Sequence, residues 1–150
     1  MRMPLSASAP RIFGRRADRA KILAAVGNLT EEERQRLMRE FYEELVGSHP
    51  HMAAYFSQLD LARQVRKLSA TLQVLVAFAD DRRALGAEVI RLGVAHSRRG
   101  IGEAEYGLFA TTLADVLARR QTEVPFERAR RLWLVELKAI METMALVDNG

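Results

Sequence analysis

Three histidines are the side chains of this 150-residue chain best suited to bind a metal or to move protons near neutral pH: His49, His51 and His96. The sequence contains no cysteine, which excludes disulfides, thiolate nucleophiles, iron–sulfur clusters and cysteine-based zinc sites. His49 and His51 flank Pro50 in a predicted turn, where we expect exposed side chains. His96 is different, because it follows Leu92 at i+4 on the apolar side of a predicted helix.

Two interpretations of His96 are open from its position alone. A histidine on an apolar helix face is most often a core residue with satisfied hydrogen bonds. Alternatively, one neutral imidazole is enough to bind haem iron, because the porphyrin supplies four further ligands. A zinc or di-iron carboxylate site is poorly supported, since Glu88 lies eight residues before His96 and the Arg98-Arg99 pair follows it.

Apolar residues recur with the period of an α-helix over almost the whole chain, and no stretch alternates with the period of a strand. The predicted helices cover residues 17–26, 30–46, 50–56, 60–79, 82–98, 103–119 and 125 onward. Helices of such number and unequal length do not fit a simple four-helix bundle. The sequence therefore predicts an all-α fold of about seven or eight helices.

Local signals also predict where several of these helices begin and end. Thr30 and Glu33 have the spacing of a capping box, in which each side chain hydrogen-bonds the backbone of the other residue. Asp60 and the Asp80-Asp81 pair precede two further helices as N-caps. The Gly-Ser-His-Pro segment at residues 47–50 ends one helix and begins another.

Charge and hydropathy restrict the partners that the chain is expected to have. Its net charge is +4, but the 23 basic residues are spread among 19 acidic ones without aromatic interleaving, which argues against nucleic acid. No apolar core of signal-peptide length follows Arg2, and the longest apolar stretch, residues 72–79, is too short to span a membrane. We expect a cytoplasmic protein without membrane contact. Residues 1–14 are expected to form a flexible tail and residues 15–150 one domain.

Motifs along nearly the whole chain carry a resemblance to a known family. They are Phe41-Tyr42, His49-Pro50, Phe56, the Gln64 to Leu68 stretch, the Leu92 to His96 stretch, Gly100-Ile101, Tyr106 and Trp133. The intervals between them agree as well: 14 residues from Tyr42 to Phe56, 32 from Gln64 to His96 and 37 from His96 to Trp133. In these features the chain resembles the globin family, in particular bacterial single-domain haemoglobins and the haem domain of flavohaemoglobins.

This resemblance implies a three-on-three helical globin fold and a non-covalent b-type haem whose iron is bound by His96. On the open side of the haem, Tyr42 and Gln64 would lie above the iron. A hydrogen-bond donor there would stabilise O₂, because the bound ligand carries partial negative charge. Phe56 would stack on the porphyrin, and Leu68 would form part of the distal wall.

The same resemblance implies the residues of the proximal side and of the haem edge. The residues that would line the proximal side are Leu92, Ile101, Tyr106 and Phe109. Lys67 would reach a haem propionate, and Arg63 is a second candidate for this contact.

The identity of the distal residue on the predicted 60–79 helix stays open at this point. The interval from Phe56 to Gln64 is 8 residues, which is shorter than in the bacterial globins that the other intervals resemble. Arg63 or Arg66 therefore remain alternatives to Gln64 as the side chain that faces the pocket.

The function implied by the resemblance is reversible binding of O₂ and of other diatomic ligands such as CO and NO. Two alternatives stay open: a haem-based gas or redox sensor module, and an NO dioxygenase or peroxidase-like enzyme with a separate reductase as partner. A globin fold without haem is disfavoured by His96 and Phe56 together. We do not expect a stand-alone enzyme, and the sequence indicates no oligomeric state.

Overall fold

The computed structural model describes residues 16–56, 60–81, 83–88 and 102–149, with side chains described as far as Met141. Its elements are α1 (residues 16–27), α2 (Glu31–Ser48), a 3₁₀ helix (Pro50–Tyr55), α3 (Leu61–Ala77), α4 (residues 83–88), α5 (Glu103–Arg120) and α6 (Phe126–Asn149). These described residues contain no strand, so the predicted all-α class is confirmed. The predicted tail, residues 1–14, lies outside the described residues.

The predicted helix caps form as the sequence indicates. At the start of α2, the Glu33 N–H donates to the Thr30 hydroxyl (3.1 Å), and the Thr30 N–H donates to the Glu33 carboxylate (2.8 Å). Asp60 accepts a hydrogen bond from the Ala62 N–H (3.0 Å) at the start of α3. Asp81 accepts one from the Ala84 N–H (3.1 Å) at the start of α4. Each cap satisfies an N–H that has no partner within its own helix.

Replacing Thr30 by alanine is expected to lower the free energy of unfolding by about 1 kcal/mol, because the capping N–H of Glu33 loses its acceptor. Chemical denaturation of the two proteins measures this difference. Thr122→Ala is the matched control, since Thr122 is exposed in the connection between α5 and α6. Equal losses in both variants would contradict a specific role of the cap.

Helix α3 ends two residues earlier than the sequence predicts, at Ala77 instead of near Ala79. The Phe78 N–H makes the last helical bond, to the Val74 carbonyl four residues earlier. The Ala79 N–H instead bonds the Val76 carbonyl three residues earlier (3.3 Å), so the helical pattern ends there. The predicted extension of the next helix to Arg98 lies outside the described residues. Among those described, no helix combines the length and apolar composition needed to cross a bilayer.

The hydrophobic core centres on α5, which packs against both α2 and α6, and α3 packs against α2. Met38 and Phe41 of α2, Leu113 of α5 and Leu137 of α6 are among its fully buried side chains. Trp133 of α6 is also buried. Because α2 contacts both α3 and α5, side chains on its inner face can meet residues from both of these helices.

Candidate functional site

Four aromatic side chains form a cluster that joins α2, the 3₁₀ helix and α5. Tyr42 lies against Phe56, with ring centroids 5.3 Å apart and an interplanar angle of 73°. Phe41, the neighbour of Tyr42, meets Phe109 of α5 edge to face at 4.6 Å. The Phe41 and Tyr42 rings are themselves 5.1 Å apart. We call Phe41, Tyr42, Phe56 and Phe109 the aromatic cluster; its tilted and edge-to-face contacts are the arrangement that aromatic pairs prefer.

Local sequence explains how this aromatic cluster forms. Phe41 and Tyr42 belong to the inner face of α2, together with the buried residues Met38 and Leu45. The chain then turns at Pro50, the first residue of the 3₁₀ helix, and returns Phe56 to the same side of α2. The structure thus brings together three of the predicted site residues, Tyr42, Phe56 and Phe109.

Helix α3 turns one polar residue of its first two turns toward the protein interior. Gln64 is 8% exposed, whereas Arg63, Arg66 and Lys67 are all exposed. Leu68, four residues after Gln64, is half-buried against the core, as expected for residues on one helix face. Of the three candidates for the distal side chain, Gln64 is therefore the one that faces inward.

The side-chain amide of Gln64 makes no hydrogen bond within the part of the chain that the structure describes. Although Gln64 as a whole residue is only 8% exposed, its amide nitrogen and oxygen are not fully enclosed by the described residues, so they stay open to solvent or to a small molecule. An inward-facing polar side chain that is open in this way fits the open side of a ligand pocket.

The predicted proximal residues lie partly within the described structure. Tyr106 is buried on α5, and Phe109, three residues later, is half-buried on the same face of this helix. Leu92, Ile101 and the predicted iron ligand His96 lie outside the described residues. Their assignment continues to rest on the sequence.

The remaining histidines do not form a metal site in the described residues. His51 is exposed as predicted, but His49 is half-buried; its backbone N–H caps the end of α2 by bonding the Leu45 carbonyl. The two imidazole centroids are 6.1 Å apart. No group of three or more histidine, aspartate or glutamate residues in the described part of the chain is placed to hold a metal ion.

A small cavity lies at the other end of α3 from Gln64. It measures about 20 Å³ and is lined mainly by apolar side chains of α1, α3, α4 and α6, among them Leu23, Leu75, Leu85 and Ile140. Since none of the aromatic cluster contributes to its wall, this cavity is separate from the candidate site.

Sequence reasoning missed two features that the structure adds to this region. Phe41 was used only as part of a motif, although its ring connects Tyr42 to Phe109. Its place on the apolar face of α2 indicates burial but not which helix it meets. The second feature is Arg34, a buried cation on α2 whose only local signal is Glu31 at the spacing of a helical ion pair.

Comparison with known proteins identifies one family. The family model described as Globin matches residues 39–140, which is more than half of the chain. The matched range includes Tyr42, Phe56, Gln64 and His96. No curated protein matches the chain significantly.

Proposed function

Because the chain belongs to the globin family and has its all-α fold, we propose that it binds one b-type haem through His96 and reversibly binds O₂ there. CO and NO are expected to bind at the same position. The haem is held non-covalently at its vinyl groups, since the sequence has no cysteine for a thioether bond. We further propose that this chain is a cytoplasmic protein similar to bacterial single-domain haemoglobins.

The inward-facing side chain of Gln64 is the observation that carries this proposal furthest. It faces inward from α3, lacks a hydrogen-bond partner among the described residues, and lies on a helix that packs against α2, which bears Tyr42. A polar donor placed in an otherwise apolar interior is typical of sites that bind a small ligand with specificity. The residues on this side of the fold therefore fit a haem with an open ligand position.

In this proposal the haem supplies the iron that takes up the gas, and the chain supplies the environment. Tyr42 donates its phenol O–H, and Gln64 its amide N–H, to a ligand that carries partial negative charge. Such charge-assisted hydrogen bonds contribute about 1.5–3 kcal/mol in a site from which water is excluded. Phe56 and Leu68 are both partly buried against the core and exclude water from the same side.

The remaining site residues complete the proposed pocket. Leu92, Ile101, Tyr106 and Phe109 are assigned to the proximal side together with His96. Lys67 is exposed on α3, where its flexible side chain is available to pair with a propionate at the edge of the haem.

The absorption spectrum of the purified protein tests the proposed function. After reconstitution with haem, we expect a Soret band at one haem per chain, five-coordinate iron on reduction, and distinct spectra with O₂ and with CO. Haem binds only the native state, so the loaded protein should melt at a higher temperature than the haem-free protein. Absence of a Soret band after reconstitution, or identical melting temperatures, would overturn the proposal. Rapid NO consumption with an added reductase would favour the dioxygenase alternative.

A further inference from the structure

Arg34 is a charged side chain buried in the contact between α2 and α3. It is 4% exposed, a degree of burial that arginine rarely shows without fixed partners. One terminal nitrogen donates to the Leu29 carbonyl (2.6 Å). The other donates to the Glu31 carboxylate (2.7 Å) and to the Gln73 side-chain oxygen (3.1 Å). Since Gln73 belongs to α3, the guanidinium connects the two helices directly.

A second hydrogen bond joins the same two helices beside Arg34. The other carboxylate oxygen of Glu31 accepts from the Ser69 hydroxyl of α3 (3.4 Å) and from the Gln35 amide of α2 (2.9 Å). Ser69 is fully buried. Hydrogen bonds from Gln35 and Arg34 hold the pKa of Glu31 below its ordinary value, so this carboxylate stays ionised at neutral pH. We call Glu31, Arg34, Ser69 and Gln73 the Arg34 cluster.

The Arg34 cluster lies far enough from the proposed ligand donors that a small rotation of α3 at the cluster would displace Gln64 appreciably. Gln73 follows Gln64 by nine residues, about 13 Å along α3, and Tyr42 follows Arg34 by eight residues, about 12 Å along α2. A rotation of about 5° at the cluster would thus displace Gln64 by about 1 Å. Hydrogen-bond distances vary by only about 0.5 Å, so such a displacement would weaken the bond that Gln64 donates.

Apolar packing alone does not explain why a cation occupies this position. Burying an ion pair often stabilises a fold no more than apolar side chains of similar volume. In addition, the Nε–H of Arg34 has no hydrogen-bond partner among the described residues. Directional hydrogen bonds differ from apolar contacts because they resist sliding and rotation of one helix over another.

We propose that Arg34 is a positioning residue, which fixes the orientation of α3 against α2 and thereby holds the Gln64 amide in register with Tyr42 for the ligand. This inference rests on the proposed haem function. Arg34 itself contacts no ligand; it acts on α3 directly through Gln73 and indirectly through Glu31, which accepts from Ser69.

Gln73→Ala is the decisive variant, because Gln73 is exposed and its replacement leaves the core intact. Gln35→Ala is the matched control, since Gln35 also bonds within this region but to Glu31 of its own helix. Gln73→Glu restores an acceptor for Arg34 and should restore wild-type behaviour. The measurements are the infrared C–O stretching frequency of the CO complex, the O₂ dissociation rate and the melting temperature.

Loss of the α3 anchor is expected to raise the C–O stretching frequency and to accelerate O₂ release about three- to fivefold, as partial loss of one hydrogen bond implies. Gln35→Ala and Gln73→Glu should match the wild type in both. In a Gln64→Leu background, Gln73→Ala should have no further effect on either quantity, because the donor that it positions is absent.

Three results would contradict the positioning role while leaving haem binding intact: an unchanged C–O stretch in Gln73→Ala, an equal change in Gln35→Ala, or an undiminished effect in the Gln64→Leu background. A Gln73→Ala variant that differs from wild type only in melting temperature would also overturn it. Absence of haem binding in the wild type would instead overturn the proposed function, and this inference with it.

Discussion

Replacing His96 by alanine is expected to abolish stable haem binding, with loss of the Soret band from the purified protein. His96 is the proposed axial ligand, and its imidazole would be the single protein bond to the iron, because the porphyrin supplies the other four ligands. Without haem, the space beside Phe56, Leu68 and Phe109 becomes a cavity, and cavities in a core are destabilising. The variant should therefore also melt at a lower temperature than the loaded wild-type protein.

The matched controls for His96→Ala are His49→Ala and His51→Ala, which change the same residue type at the junction of α2 and the 3₁₀ helix. Both should bind haem with the wild-type stoichiometry. Addition of free imidazole should restore a Soret band to His96→Ala, because the small ligand can occupy the space left by the side chain. A His96→Ala protein with an unchanged spectrum would show that another group binds the iron.

Replacing Tyr42 by phenylalanine is expected to accelerate O₂ release by about one to two orders of magnitude, which corresponds to loss of one charge-assisted hydrogen bond of about 1.5–3 kcal/mol. The ring and its contact with Phe56 remain, so the packing of the aromatic cluster should not change. CO release should change much less, since bound CO carries little charge. Stopped-flow displacement of bound O₂ by CO measures the first rate, and displacement of bound CO by NO measures the second.

Tyr55→Phe provides the matched control for Tyr42→Phe, since Tyr55 lies on the 3₁₀ helix, is only partly buried, and forms none of the ring pairs that define the aromatic cluster. Its O₂ release rate should equal that of the wild type. If Tyr42→Phe stays within twofold of the wild type, the tyrosine is not the principal donor. Gln64→Leu would then be the next variant to test, ahead of Arg63 or Arg66, because Gln64 is the inward-facing residue.

Helix content and several helix ends were predictable because they depend on residues close together in the chain. The Thr30–Glu33 capping box and the Asp60 cap satisfy backbone groups two or three residues away, whatever the rest of the fold does. The contact of Tyr42 with Phe56 was also accessible, since only the end of α2 and the 3₁₀ helix separate them. The predicted end of α3 was two residues too late, because apolar residues continue past Ala77.

Sequence alone predicted the all-α class, which the structure confirms, and the role of His96, which stays a prediction; the tertiary structure decided which side chains face each other. Successive helix positions differ by about 100° in direction, so a small uncertainty in register exchanges Arg63, Gln64 and Arg66 at the pocket. Packing of α3 against α2 buries Gln64 and leaves Arg63 and Arg66 exposed, which supports Gln64 as the residue to test first. The contact of Arg34 with Gln73 spans 39 residues. Periodicity can indicate that a helix face is buried. Which residues contact that face depends on how all the helices pack together.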